Sequence, residues 1–211
     1  MHKVLWPFLN DVFQRIVTFD KISQRNNLSA YVKRIGLKRH SRVLDFGCGT
    51  ALFARTFLHL GMEYVGYDID QRVVAYAAMV YPNGKFVANS DEIHKLGKYD
   101  LIVANCCFHH MDDFTIHQVL TIIKSYLQPT GEVLILDIFD EGRSKGALRR
   151  LFLMLERGAY LRKVEDYQAI IKQQFKIIEE ETQPLLLLPW RCIFNPIASK
   201  LIIFRCKTDS N

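Results

Sequence analysis

Between Gly36 and Asp137 the apolar residues change period repeatedly, passing from short unbroken runs to three- and four-residue spacings and back. The runs Arg42 to Phe46, Tyr64 to Tyr67, Lys85 to Ala88, Leu101 to Asn105 and Glu132 to Asp137 read as strands. Thr50 to Leu60, Gln71 to Val80 and Thr115 to Leu127 read as helices, with turns at Tyr81-Pro82-Asn83-Gly84 and Gln128-Pro129-Thr130-Gly131. Apolar strands joined by helices predict right-handed βαβ units and a parallel sheet covered on both faces. Ahead of them, Trp6 to about Ile35 carries helical spacing in Phe13, Ile16, Val17, Ile22, Leu28, Val32 and Ile35. A polar break near Arg25-Asn26-Asn27 divides it into two helices.

The end of the chain has another rhythm. Phe175 to Glu181 and Ser199 to Lys207 read as strands with no helix between them, which predicts an antiparallel pair at one edge of the sheet. If the first runs parallel to the core strands, the connecting PLLLLPWRCIFNP, residues 184–196, hangs over the crevice at the strands' carboxyl ends. Leu148, Leu151, Phe152 and Leu155 predict a capping helix on the same side, where Asp137 also lies.

Composition narrows the class. A chain of 211 residues with 49% hydrophobic content buries a substantial core in one domain and leaves no room for a second full one. The five cysteines, Cys48, Cys106, Cys107, Cys192 and Cys206, are odd in number and lack zinc-like spacing, so they read as reduced thiols of a cytoplasmic protein with no metal site. MHKVLWPFLNDVF is too short in apolar stretch for a signal core, and Leu185 to Leu188 is far short of a membrane span. The net charge of +6 comes from basic residues scattered along the chain, which fits a solvated surface better than a nucleic-acid interface. Oligomeric state is not encoded in these patterns.

Chemistry enters at VLDFGCGTALFA, Val43 to Ala54, where a buried strand turns tightly into a helix. Gly47 and Gly49 permit close backbone approach, and the helix start offers unpaired amides to a ligand. Asp45 repels a pyrophosphate and attracts an amino group, and Leu52 stands where the third glycine of G-x-G-x-x-G would be. Asp68, ending the second strand in YVGYDID, suits the two hydroxyls of a ribose.

These residues resemble the first motif, D-x-G-x-G-x-G, of class I S-adenosylmethionine-dependent methyltransferases, in particular the members acting on small molecules. The resemblance covers Arg42 to Asp137 and, in outline, the two final strands. It implies an α/β, three-layer Rossmann-like sandwich with a seven-stranded, mostly parallel sheet whose last strand is antiparallel. One methyltransferase domain would then comprise an N-terminal helical cap (1–36), a cofactor-binding core (37–137), and a substrate-side cap with the terminal strand pair (138–211). Carried over by position, Asp45, Gly47, Cys48 and Gly49 would surround the methionine part of S-adenosylmethionine, Asp68 the ribose and Ile69 the adenine. The acid after the third strand corresponds to Ser90 or Asp91. The chain departs from the motif at Ala51, which replaces the third glycine and is tolerable if its φ stays negative.

Strand four ends in VANCCFHHMDD, similar to the N-x-x-L-H-H-L-x-D form of that superfamily. Asn105 would lie beside the cofactor, and His110 or His109 would face the substrate as the base for an oxygen nucleophile. Packing or loop anchoring is the alternative role for these histidines. Asn105-Cys106-Cys107-Phe108 also stands where amino-group methyltransferases carry N-P-P-F/Y, but both prolines are missing. Nothing but the histidines argues for a thiolate at Cys106 or Cys107. RGAYLRKVEDY resembles an R-G-x-Y-x-R segment of some superfamily members, so Tyr160, Arg162 and Tyr167 are candidates to hold a substrate anion, or else pack locally. Trp190 is a candidate apolar substrate contact or a core residue.

The implied function is methyl transfer from S-adenosylmethionine to a small or medium-sized acceptor, at oxygen rather than nitrogen. The alternatives are an RNA or other nucleic-acid methyltransferase, a cofactor-binding protein of the same fold without turnover, and a nicotinamide-dependent oxidoreductase.

Overall fold

The computed structural model describes residue 8 and residues 21–140, 160–185 and 199–208. Its centre is a seven-stranded sheet in the order β3-β2-β1-β4-β5-β7-β6. The strands are β1 (Arg42–Phe46), β2 (Glu63–Tyr67), β3 (Lys85–Val87), β4 (Tyr99–Asn105), β5 (Leu127–Ile138), β6 (Lys176–Leu185) and β7 (Ser199–Lys207). β1 to β5 pair in parallel, while β7 lies antiparallel between β5 and β6. The final hairpin thus forms as the sequence predicts, and β6 runs in the direction of the core strands.

The helices are α1 (Lys21–Ile35), α2 (Ala54–His59), α3 (Gln71–Val80), α4 (Ser90–Leu96), α5 (Asp113–Tyr126) and α6 (Val164–Ile171). Strand alternation sends side chains to two separate cores. Val43, Leu101, Val103, Leu134 and Ile203 pack with Leu28, Phe57 and Ala77 of α1, α2 and α3. Leu44, Ile102, Ile135 and Phe204 pack with Ile93, Ile116, Leu120 and Ile171 of α4, α5 and α6. The result is the expected three-layer sandwich, whose period-2 strands feed both layers.

Several boundaries differ from the sequence reading. α1 runs unbroken through Asn26 and Asn27, because Leu28, Tyr31 and Val32 are buried and their packing outweighs the weak propensity of two asparagines. α2 begins at Ala54 rather than Thr50, after a series of turns. α4 was not expected; Asn89 starts it by accepting a hydrogen bond from the Asp91 amide at 2.9 Å, but it buries Ile93 alone. Gln128-Pro129-Thr130-Gly131 is not a free turn but an irregularity within β5, since Tyr99 pairs with Leu127 and Leu101 next pairs with Glu132. The predicted capping helix at residues 148–155, the first N-terminal helix, Cys192 and the stretch 186–196 with Trp190 lie outside the described residues. No helix among the described residues is long and apolar enough to cross a membrane.

The order places the switch point between β1 and β4, and open α/β sheets form their ligand crevice at the carboxyl ends beside that point. At the far end, buried Glu132 on β5 takes a two-pronged bond from Arg205 on β7, at 2.5 and 2.9 Å, and a third from Lys207 at 3.0 Å. Burial opposes ionisation there, yet these cations hold the Glu132 carboxyl below its ordinary range. Arg205→Met should therefore destabilise the protein by about 2 kcal/mol at pH 7, by leaving a buried carboxylate short of donors. A depressed carboxylate stabilises above its unfolded value and loses that contribution as pH falls. Urea titrations of wild type and variant should therefore converge below about pH 4.

Candidate functional site

Asp45, the fourth residue of β1, is buried with 2% of its surface exposed and accepts a 2.7 Å hydrogen bond from the Tyr64 hydroxyl on β2. Burial pushes its carboxyl up to about 7; the Tyr64 bond works against that rise and the nearby charge of Asp68 adds to it. Asp45 is thus an acid poised to change charge near neutrality inside the crevice.

The chain then turns through Gly47 and Gly49, whose φ angles of +73° and +52° need glycine. A side chain at Gly47 would also lie 3.0 Å from Cys107 Cβ, so the turn after β1 packs directly on the loop after β4. Four amides of this turn already have protein acceptors. Gly47 and Cys48 both donate to the Tyr67 carbonyl at 2.8 Å, Ala51 donates to the Cys48 carbonyl at 2.8 Å, and Gly49 donates to Asp68 Oδ2 at 2.8 Å. The turn is fastened to the end of β2 instead of being left open for a phosphate.

Ala51 also departs from expectation. Its φ is +58°, not negative, and it is fully buried, so the position keeps a left-handed geometry with an alanine in it.

Asp68 accepts from Gly49 through Oδ2 and from the Asp70 amide through Oδ1 at 2.9 Å. Burial raises its pKa, and the Asp70 and Gly49 amides counter that. Each carboxylate oxygen keeps one lone pair for a further donor, and the two are fixed side by side. Ile69 follows with 83% of its surface exposed, an apolar face presented beside this carboxylate. Ser90 and Asp91 lie exposed in the first turn of α4, just after β3.

On the other side of the switch point, Asn105 ends β4, and its Oδ1 is buried without a partner. Cys106 follows at φ +50° and donates its amide to the Leu136 carbonyl at 2.7 Å. Burial drives the Cys48 and Cys107 thiols well above their ordinary values, so neither is a ready thiolate. His109 and His110 form a short turn of 3-10 helix with Phe108; His109 is buried, His110 is exposed, and their rings lie 4.0 Å apart.

The carboxylate of Asp137 on β5 organises this loop. It accepts from the amides of Phe108 (2.8 Å), His109 (3.1 Å) and Ile138 (2.8 Å), and from His109 Nδ1 (2.5 Å). The sequence reading placed Asp137 on the correct side but gave it no part in the site. Its signal was an isolated acid ending an otherwise apolar buried strand. Tyr64 was missed similarly, being a hydroxyl-bearing ring on a buried strand beside the one that holds Asp45.

Arg162 does not present its fork to a ligand. It is buried, and its nitrogens reach Asp113 Oδ1 and the carbonyls of Phe108, Tyr160 and Met111 at 2.6 to 3.3 Å. The segment that carries it is laid against the histidine loop, with the Tyr160 amide donating to the His109 carbonyl at 3.1 Å. The guanidinium therefore ties this loop to α5 through protein oxygens, and Tyr167 is likewise buried beneath it. Tyr160 and, in the first turn of α5, Phe114 are exposed.

One set of residues, Asp45, Gly47, Cys48, Gly49, Asp68 and Ile69, thus surrounds the end of β1 and β2. A second, Asn105, His109, His110 and Tyr160, surrounds the end of β4, and the two meet at Gly47 and Cys107.

Comparison with known proteins follows the same lines. A family model described as a methyltransferase domain matches residues 20–184. An uncharacterised methyltransferase of Alkaliphilus oremlandii is 24% identical over 163 residues, 76% of this chain and 74% of the relative. The malonyl-[acyl-carrier protein] O-methyltransferase of Bacillus cytotoxicus is 23% identical over 168 residues, 77% of this chain and 56% of the relative. Among solved structures, a Haemonchus contortus phosphoethanolamine N-methyltransferase 2 in complex with S-adenosyl-L-methionine superposes with a TM-score of 0.65 at 19% identity. That match covers 86% of this chain and 52% of the other, and shows a shared fold.

Two outcomes test the turn. Ala51→Gly should stabilise the protein by about 1 kcal/mol in urea, the release of a left-handed alanine less the added freedom of the unfolded chain. Asp45→Asn should stabilise it by about 2 kcal/mol at pH 8 and by less at pH 5. The sign follows from a folded value above the unfolded one, so that wild-type stability is highest in acid and falls as pH rises through about 7. A thermal melt series across this range measures both.

Proposed function

The chain belongs to the methyltransferase-domain family and uses S-adenosylmethionine as its methyl donor, and we propose that it methylates a small or medium-sized, partly apolar acceptor at oxygen. The observation that carries this reading is the pairing of two buried or half-buried acids, Asp45 and Asp68, around a glycine turn four of whose amides are already bonded. Such a turn is poorly suited to a pyrophosphate and well suited to a ligand that brings its own donors and a positive charge.

The donor supplies a methyl group made electrophilic by a sulfonium. Asp45 attracts the ammonium of its amino-acid part, with Gly47, Cys48 and Gly49 packed alongside. Asp68 accepts the two ribose hydroxyls on its remaining lone pairs, Ile69 covers the adenine, and Ser90 or Asp91 meets the adenine edge. The orphaned Asn105 Oδ1 supports a donor from ligand or substrate at the end of β4. Methyl transfer is an in-line displacement, so these residues contribute by aligning the reactants and excluding water. His109 and His110 stand on the substrate side, and exposed Tyr160 and Phe114 give that side an aromatic rim. Trp190 extends the same apolar reading. Arg162 acts on this reading by holding the loop, and the substrate need carry no anion.

The relatives include a methyltransferase named for ribosomal RNA, 29% identical over 44% of this chain, so nucleic acid is the second acceptor class to be tested. Methyl-labelled S-adenosylmethionine incubated with the protein and cell extract should put label into the small-molecule fraction. Label in RNA, or cofactor binding with no transfer to any fraction, would overturn the proposal in favour of its alternatives. Asp68→Ala should weaken S-adenosylmethionine binding by about 1 to 3 kcal/mol in calorimetry. An unchanged dissociation constant would remove Asp68 from the site.

A further inference from the structure

Resting on the reading above, we propose that His109, set by Asp137, is the group that takes the proton from an aromatic hydroxyl as it is methylated. His109 has 1% of its surface exposed, and its Nδ1 lies 2.5 Å from Asp137 Oδ1. The same carboxylate accepts three backbone amides, from Phe108, His109 and Ile138. A carboxylate surrounded by donors is an acceptor, so the shared proton belongs to Nδ1. In the neutral ring that assignment leaves Nε2 with a bare lone pair.

Nε2 is buried and has no hydrogen-bond partner among the described residues. Asn105 Oδ1, at the start of the same loop, is likewise buried without a partner among the described residues, as is the Tyr99 hydroxyl at the opposite end of β4. Buried acceptors without partners are rare enough to call for a donor, and two on one loop at the crevice point to a group that arrives bearing a proton. His110 is the weaker candidate because its ring is exposed. Nor does Arg162 prepare the site for an anionic acceptor, since its nitrogens are bonded to protein oxygens. Tyr160, whose amide donates to the His109 carbonyl, and Phe114, four residues after His110, both carry exposed rings, which suits an aromatic rather than an aliphatic carrier of the hydroxyl.

The step balances within these groups. The hydroxyl proton passes to Nε2 while the oxygen lone pair forms the new bond to the methyl carbon. The carbon–sulfur bond breaks with its electron pair left on sulfur, so the sulfonium charge ends on the His109 imidazolium, beside Asp137. Asp137 is a positioning residue; His109 is the catalytic one.

The test has two arms. In the first, 15N-histidine NMR of the full chain, with His109 assigned through His109→Gln, should show a neutral ring protonated at Nδ1. Asp137→Asn should mix the tautomers. A proton on Nε2 in the wild type overturns the proposal, and this arm stands even if a variant folds poorly.

In the second arm, S-adenosylhomocysteine formation is followed with ring-substituted phenols graded from phenol to the readily ionised 4-nitrophenol. His109→Gln should lower kcat/KM about a hundredfold or more for phenol and less than about tenfold for 4-nitrophenol, which needs no base. Asp137→Asn should give the same gradient more weakly. Equal losses along the series would mean that His109 only packs, and would overturn the proposal. If wild type binds S-adenosylmethionine but methylates no phenol, the hydroxyl assignment falls while the methyltransferase reading stands. If S-adenosylmethionine is not bound, it is the underlying reading that fails.

Discussion

The 2.8 Å hydrogen bond from the Gly49 amide to the Asp68 carboxylate is the contact on which the site depends. It fastens the turn after β1 to the end of β2, and with the Asp70 amide it fixes the Asp68 carboxylate in place. The paired bonds from Gly47 and Cys48 to the Tyr67 carbonyl reinforce it. Four amides of the turn are engaged in this way, and the two acids Asp45 and Asp68 flank it.

The same turn holds its geometry against two local penalties. Asp45 is kept in the sheet interior with one hydroxyl for company, and Ala51 sits in a backbone region that favours glycine. Both features reduce stability at neutral pH, and residues that do so persist where surrounding structure over-determines them. The packing of Cys107 against Gly47 is part of that surround, and it links the turn after β1 to the loop after β4. A disturbance at Gly47 would thus be felt at the histidine loop, whose other anchor is Asp137.

Much of this was legible in the chain. The strands of the core, the antiparallel hairpin and the acids flanking the turn follow from period and motif, because each depends on neighbours a few residues away. What escaped depends on partners far along the chain. Asn26 and Asn27 look like a helix break until Leu28, Tyr31 and Val32 are seen buried against the sheet. The amides at Gly47 and Cys48 look free until Tyr67, twenty and nineteen residues on, is placed beside them. Arg162 looks like an anion fork until Asp113 and the carbonyls of Phe108 and Met111 are found around it, contacts made across about fifty residues of chain. Seven residues with one buried side chain gave α4 no periodicity to detect.

The most direct test of the account is the number of protons exchanged when S-adenosylhomocysteine binds at pH 6.5, obtained by calorimetry in buffers of different ionisation enthalpy. An amino group of ordinary pKa is already charged at that pH, and Asp45, poised at about 7, should ionise to meet it. The account predicts a net release of a substantial fraction of one proton, abolished in Asp45→Asn. Binding with no proton exchange, or with the same exchange in the variant, would contradict it.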